Sequence, residues 1–256
     1  MLDDLAALRL QLEWGVDEAL GEAPLDRLAV ERAIPEVRAL VRGPAPSPAP
    51  GSVPALVAVA LAPDVAGLAD LAAVQAALDG FRAHPLRATA SATVPPGGTV
   101  GAGLVLVGDA PGADDDRAGQ AFSGKAAALL ERVFGAAGLG RDHAMLTFLV
   151  PWRPPGGRAP NETEIALALP FLHRVLALAR PRHIVVFGEA ALRTLVDPAA
   201  TLRASRGRWA MAAVPGLDAP VPVLPMLAPE RWLQSPATRQ TTWADLLVLR
   251  EALAQD

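Results

Sequence analysis

The sequence predicts an α/β fold, a three-layer α/β/α sandwich with a central four-stranded parallel sheet, preceded by N-terminal helices. Three observations carry this. Four short and largely apolar runs, Leu104–Val107, Met145–Val150, His183–Phe187 and Val221–Met226, read as strands buried on both faces. A helical pattern follows each, at about 124–137, 162–179, 189–196 and 236–254. Strict alternation of the two lays the strands side by side and the helices on both faces.

Residues 2–42 read as two helices. Leu5, Leu8, Leu10, Leu12 and Trp14 supply the apolar side of the first; Pro24 and Asp26 open the second, with Leu28, Val30 and Ile34. Gly43 to Pro54, GPAPSPAPGSVP, is a linker, because proline at every second or third residue excludes helix and favours extended chain. This divides the chain into a helical segment at 1–42, a mobile tether at 43–54 and one domain at 55–256. Pro63-Asp64 opens a helical stretch with Leu68, Leu71, Val74 and Leu78 on one side, ending before Pro85.

After the strand Leu104–Val107, Gly108 and Pro111-Gly112 make a tight loop, and Asp114 to Asp116 reads as a solvated turn. Phe122, Ser123 and Gly124 lead into a helix from Lys125 to about Ala137. Asn161 is placed to cap the next helix, with Glu164 three residues later as in a capping box. In the last helix Trp243, Leu246, Leu249 and Leu253 face inward. In such a sheet, loops that leave the carboxyl ends of strands are where ligands bind, so the loop after Leu104–Val107 is the first candidate site.

Composition bounds the function. At 256 residues and 52% hydrophobic content the chain can bury a generous core. It has no cysteine, so disulfides and a thiolate-held metal or cluster are not expected. Met1 to Glu13 carries acids among its leucines and does not read as a signal peptide, and the longest apolar run, 53–63, is too short to cross a bilayer. A soluble, cytoplasmic protein is expected. Net charge is −4, but residues 1–100 hold 7 basic and 12 acidic side chains while 101–256 hold 16 and 15. The second part is thus not repelled by phosphate. His143, His173 and His183 have no paired nucleophile, and no Walker or dinucleotide glycine pattern is present.

GDAPGADDD at 108–116, GQAFSG at 119–124, WRPPGGRAP at 152–160, VVFGEAAL at 185–192, RGRW at 206–209 and APERWLQSP at 228–236 occur in the order of a known family. The chain resembles the uracil-DNA glycosylase superfamily, specifically its family 4 enzymes and their alphaproteobacterial branch, from about residue 65 onward. The resemblance implies a DNA-repair protein that flips uracil, or a related damaged base, out of DNA and hydrolyses its N-glycosidic bond. Phe122 matches the stacking phenylalanine, and Gly108, Ala110, Pro111 and Gly112 would wall the base pocket. Asp109 stands where the family has an acidic residue, and Asp114 or Asp116 would position water. Arg153, Gly188, Arg206, Arg208, Pro229, Arg231 and Trp232 would meet DNA, Trp232 as an inserted wedge. The partner implied is uracil-containing DNA, single strands included, met by a monomer.

Three departures qualify this. Phe148 stands where the family reads uracil with an asparagine, and Ala228 where it has a histidine. The positions of the cluster cysteines are Phe81, His84, Trp152 and Ala168, so neither the family's 4Fe–4S cluster nor any other cofactor or metal is expected. Activity is therefore expected to be reduced; the alternative is a catalytically inactive DNA-binding or partner-docking module.

Overall fold

The computed structural model describes residues 63–138, 143–232 and 234–255. The N-terminal helices, the tether and the boundary at 55 lie outside the described residues.

Six strands among the described residues form one sheet: β1 (Gly97–Gly98), β2 (Leu104–Gly108), β3 (Ala144–Phe148), β4 (His183–Phe187), β5 (Ala210–Ala212) and β6 (Val221–Met226). Their order across the sheet is β1-β3-β2-β4-β6-β5. The inner four, β3-β2-β4-β6, run parallel, as the alternation predicts. The two edges add what it does not predict, short antiparallel strands on β3 and β6. Edges this short offer little for another chain to pair with.

Among the described residues seven α-helices accompany the sheet: α1 (Leu71–Gly80), α2 (Ala113–Ala118), α3 (Gly124–Ala136), α4 (Glu162–Ala179), α5 (Glu189–Leu195), α6 (Leu202–Ser205) and α7 (Pro236–Leu253). The side-chain period of two in a strand divides the core between the two faces. Val105 and Val107 of β2 pack with Val74 and Leu78 of α1, Phe171 and Leu172 of α4, and Leu192 of α5. Leu104 and Leu106 pack with Leu130 and Val133 of α3 and with Leu246 and Leu249 of α7. This is the three-layer sandwich expected.

Caps set several helix starts. Asp70 accepts the N–H of Ala73 at 2.7 Å, which fixes α1 seven residues after the predicted start at Asp64. Asn161 accepts from Glu164 at 2.9 Å while Glu164 accepts from Asn161 at 2.8 Å, the reciprocal box predicted for α4. The acidic run is helix rather than turn. Its carboxylates lie in the first turn of α2, where they oppose the positive end of the helix dipole.

Candidate functional site

The parallel register aligns the strand ends. Gly108 is opposite Phe148 on one side and Phe187 on the other. Above this edge the chain leaves a cleft of about 640 Å³, walled by Gly108–Gly112, the loop 154–160, Gly188-Glu189, α6 and Leu227–Arg231. It contains most of the expected site residues: Gly108, Asp109, Ala110, Pro111, Gly112, Phe122, Phe148, Gly188, Arg206, Ala228, Pro229 and Arg231.

Its floor is aromatic. Phe122 stacks on Phe148 with ring centroids 5.0 Å apart and planes 20° apart, and meets Phe187 edge-on at 5.7 Å. Gly108 makes room for them: a Cβ there would lie 2.7 Å from the Phe148 ring. Phe122 holds a left-handed backbone, φ 51°, which a bulky residue adopts only when its surroundings impose it. Asp115 is part of that imposition. Its buried carboxylate accepts the N–H of Gly112 at 2.8 Å and that of Ser123, so one side chain ties the two ends of the loop that presents Phe122.

The two acids beside it do not reach the cleft. Asp114 is exposed, pairs with Arg117 at 3.1 Å and does not line the cleft, contrary to the expectation of a water-positioning role. Its carboxyl lies instead beside Gly124 at the start of α3. Asp116 is buried and accepts the N–H groups of Ser91 and Ala92 at 2.9 and 3.1 Å, anchoring α2 to the preceding loop.

Asp109 lies at the cleft wall and is pinned from across the sheet. Its Oδ1 accepts the N–H of Ala191 at 2.7 Å and its Oδ2 that of Ala190 at 3.3 Å, at the start of α5. Burial pushes its carboxyl up; the backbone N–H groups of Ala191 and Ala190 pull it back, and the net direction is upward. Gly188 permits the contact. Its φ is 129°, and a Cβ would lie 2.2 to 2.6 Å from the Asp109 carboxyl atoms. The glycine expected to admit a phosphate thus admits the Asp109 carboxylate instead.

The cationic residues divide. Arg206 is committed: it forks onto Asp245 at 2.7 and 3.1 Å and donates to the Thr241 carbonyl at 2.8 Å. Burial raises Asp245 to about 6 even against the Arg206 guanidinium, so desolvation outweighs the pair's attraction there. Arg208 is exposed but off the cleft, and half-buried Arg153 does not line it either. Arg231 and Arg203 line it with exposed side chains. So does Arg158, clamped to Glu164 at 2.6 and 2.8 Å. Burial alone would raise Glu164; the Arg158 fork and the Asn161 N–H outweigh it and hold the carboxyl low. Trp232 is not a wedge. It is fully buried, meets Phe187 edge-on at 5.9 Å and donates its Nε1–H to the Leu227 carbonyl at 2.6 Å.

Sequence reading missed Asp115, Phe187, Arg158 and Arg203. Two signals were present. Phe187 ends a parallel strand, as Gly108 and Phe148 do, and Arg158 stands six residues before a capping-box glutamate.

Phe81, His84, Trp152 and Ala168 gather around α1 and α4 on the other face of the sheet. His84 is buried, stacks on Trp152 at 4.4 Å, and accepts the Leu86 N–H at Nδ1, which leaves Nε2–H to donate to the Glu164 carbonyl at 3.0 Å. Burial lowers its pKa. Both ring nitrogens are engaged and none of the four side chains is a thiolate, so these residues do not fit a cluster held by cysteine sulfur. Among the described residues no three His, Asp or Glu side chains converge as a metal site, and no helix is long and apolar enough to cross a membrane.

Comparison with known proteins accounts for the arrangement. The uracil DNA glycosylase superfamily pattern matches residues 95–247, from β1 into α7. The chain belongs to the uracil-DNA glycosylase superfamily. Relatives point to its family 4 branch. A type-4 uracil-DNA glycosylase of Pyrobaculum aerophilum is 34% identical over 113 residues, 44% of this chain and 58% of the relative. One of Saccharolobus solfataricus is 31% identical over 166 residues, 63% of this chain and 76% of the relative. One of Archaeoglobus fulgidus is 35% identical over 112 residues, 44% of this chain and 56% of the relative. Two of these three matches span less than two thirds of the relative's length.

This family-4 likeness corrects the expectation of no cofactor. Resemblance to type-4 enzymes implies a 4Fe–4S cluster, and the lack of cysteine withholds support from one in this chain without excluding it.

Proposed function

We propose that the protein is a uracil-DNA glycosylase of base-excision repair with reduced activity, a cytoplasmic monomer that takes an extruded nucleotide of single- or double-stranded DNA into the cleft. The observation that carries this is Asp109, a carboxylate fixed by two N–H groups at the wall of a cleft, at the carboxyl edge of a parallel sheet. Relatives that act on uracil in DNA supply the substrate class.

In the reaction, water adds to the sugar's anomeric carbon as the bond to the base nitrogen breaks. The bonding pair leaves with the base, and Asp109 takes the water's proton while its charge offsets the cationic sugar. A carboxyl shifted upward is a better base near neutral pH than an ordinary aspartate. The departing base is served less well. The side chains of Phe148 and Ala228 carry no donor, Pro111 has no N–H, and that of Gly112 is directed to Asp115. One lost donor of this kind costs about 2.7–4 kcal/mol, roughly 100- to 1000-fold in rate.

Uracil oligonucleotides, single- and double-stranded, incubated with substoichiometric protein and then cleaved by alkali at abasic sites, test this. Slow scission by the wild type is expected, with at least a roughly 100-fold loss in Asp109→Asn. The rate should fall on the acid side, because the base must be ionised, and that fall should lie above the ordinary aspartate range. Retention of uracil DNA without scission, in wild type and variant alike, would instead support a binding module. The donor-poor floor is the observation that favours that second reading.

A further inference from the structure

We propose that the Phe148 ring stands where an extruded base would stack, so that the resting cleft takes an abasic nucleotide in preference to a uracil nucleotide. This rests on the reading that the cleft engages DNA and names the ligand it takes.

Space in the aromatic floor is what limits entry. A base entering the site needs one open face of an aromatic ring. Phe122, the ring matched to that task, is only 3% exposed, and Phe148 only 6%. The two already stack on each other at 5.0 Å and 20°, with no gap one ring thick between them. Phe187 closes the next side edge-on at 5.7 Å. From below, Gly108 is so close that even a methyl group there would lie 2.7 Å from Phe148 and 3.2 Å from Phe122. The aromatic slot is therefore filled by the protein's own side chain.

The cleft above that pair is still open, at about 640 Å³, with Asp109, Glu189 and Glu230 at its wall and Arg158, Arg203 and Arg231 around it. The three arginines are groups for phosphates, and Asp109 for a sugar, rather than for a base. An abasic nucleotide can occupy this space while Phe148 stays stacked. A uracil nucleotide can reach Phe122 only by driving Phe148 out, which gives up one aromatic stack to make another. Phe148 thus sets specificity by standing in for the missing base.

Fluorescence anisotropy tests the idea with three duplexes that differ at one position: a tetrahydrofuran abasic analogue, deoxyuridine and an undamaged nucleotide. Wild-type protein is expected to bind the abasic duplex at least about tenfold more tightly than the uracil duplex. Any protein that extrudes nucleotides gains something from a missing base, so the decisive comparison is with variants. In Phe148→Ala the abasic advantage should shrink by roughly that factor, through tighter uracil binding and little change for abasic DNA. Phe148→Val leaves a smaller side chain and part of the slot open, so it should shift the same way by a smaller factor, and it serves if the alanine variant fails to fold. Wild-type protein that binds both damaged duplexes equally, and better than the undamaged one, would overturn the inference alone. So would an abasic advantage that survives in a folded Phe148 variant. Equal, weak binding to all three duplexes would overturn the reading of the cleft itself.

Discussion

Gly188→Ala is expected to cost roughly 2–6 kcal/mol of stability and to remove excision with it. Two independent terms add. The backbone at Gly188 has φ 129° and ψ 169°, a region that only glycine occupies without strain, worth on the order of 1–3 kcal/mol. The new methyl group would also fall within 2.2 to 2.6 Å of the Asp109 carboxyl atoms, so the carboxylate must leave. Leaving strips the N–H groups of Ala190 and Ala191 of their acceptor at the start of α5, on the order of another 1–3 kcal/mol. Urea unfolding followed by fluorescence of the chain's five tryptophans would measure the loss. A variant with wild-type stability and excision would show that Asp109 and α5 are not joined through this glycine.

Trp232→Ala is expected to cost about 3–5 kcal/mol, the price of truncating a large aromatic in a packed core. The side chain has no exposed surface, lies against Phe187 and spends its one donor on the Leu227 carbonyl. Leu227 opens the segment that carries Ala228, Pro229 and Arg231 along the cleft. The variant should therefore loosen that wall as well as the core. A residue inserted into DNA would behave in the opposite way, leaving the melting temperature alone and weakening lesion binding. Thermal melts and anisotropy on the same preparation distinguish the two. An unchanged melt would return Trp232 to the DNA interface.

The inner strands are legible in the sequence because a strand buried on both faces must be apolar at every position, as Leu104–Val107 is. The edge strands are not. Gly97-Gly98 and Ala210–Ala212 carry no periodicity, and their pairing comes from the neighbours they lie against. Helix α2 is hidden by poor intrinsic propensity: three aspartates in succession argue for a turn. What overrides this is Asp115, whose two backbone partners, Gly112 and Ser123, are both local but meaningless until the loop closes.

The site divides in the same way. Gly108–Gly112, Phe122, Phe148 and Ala228 lie at or just after strand ends, so their meeting at one edge follows from topology. The partners that assign roles to Asp109 and Arg206 do not. Asp109 is held by residues 81 and 82 positions away, and Arg206 by one 39 positions away. Arg206 looks like a free cation in the sequence because nothing local announces Asp245. Trp232 looks like an exposed wedge because the carbonyl that satisfies its indole belongs to the backbone of Leu227, and backbone acceptors leave no mark in a sequence.

Hydrogen–deuterium exchange with and without abasic duplex tests most directly whether the cleft at the carboxyl ends of the strands is where DNA is held. Slower exchange is expected at Asp109–Gly112, at Gly157–Ala159 and across Leu227–Arg231, with excess duplex and low salt to favour phosphate contacts. A second basic depression offers an internal comparison at the opposite ends of the strands. It is lined by Arg180, Arg182 and His183 with Gly216–Pro222, and its exchange should be unaffected by DNA. Protection at that end, with none around Asp109 and Ala228, would contradict the account.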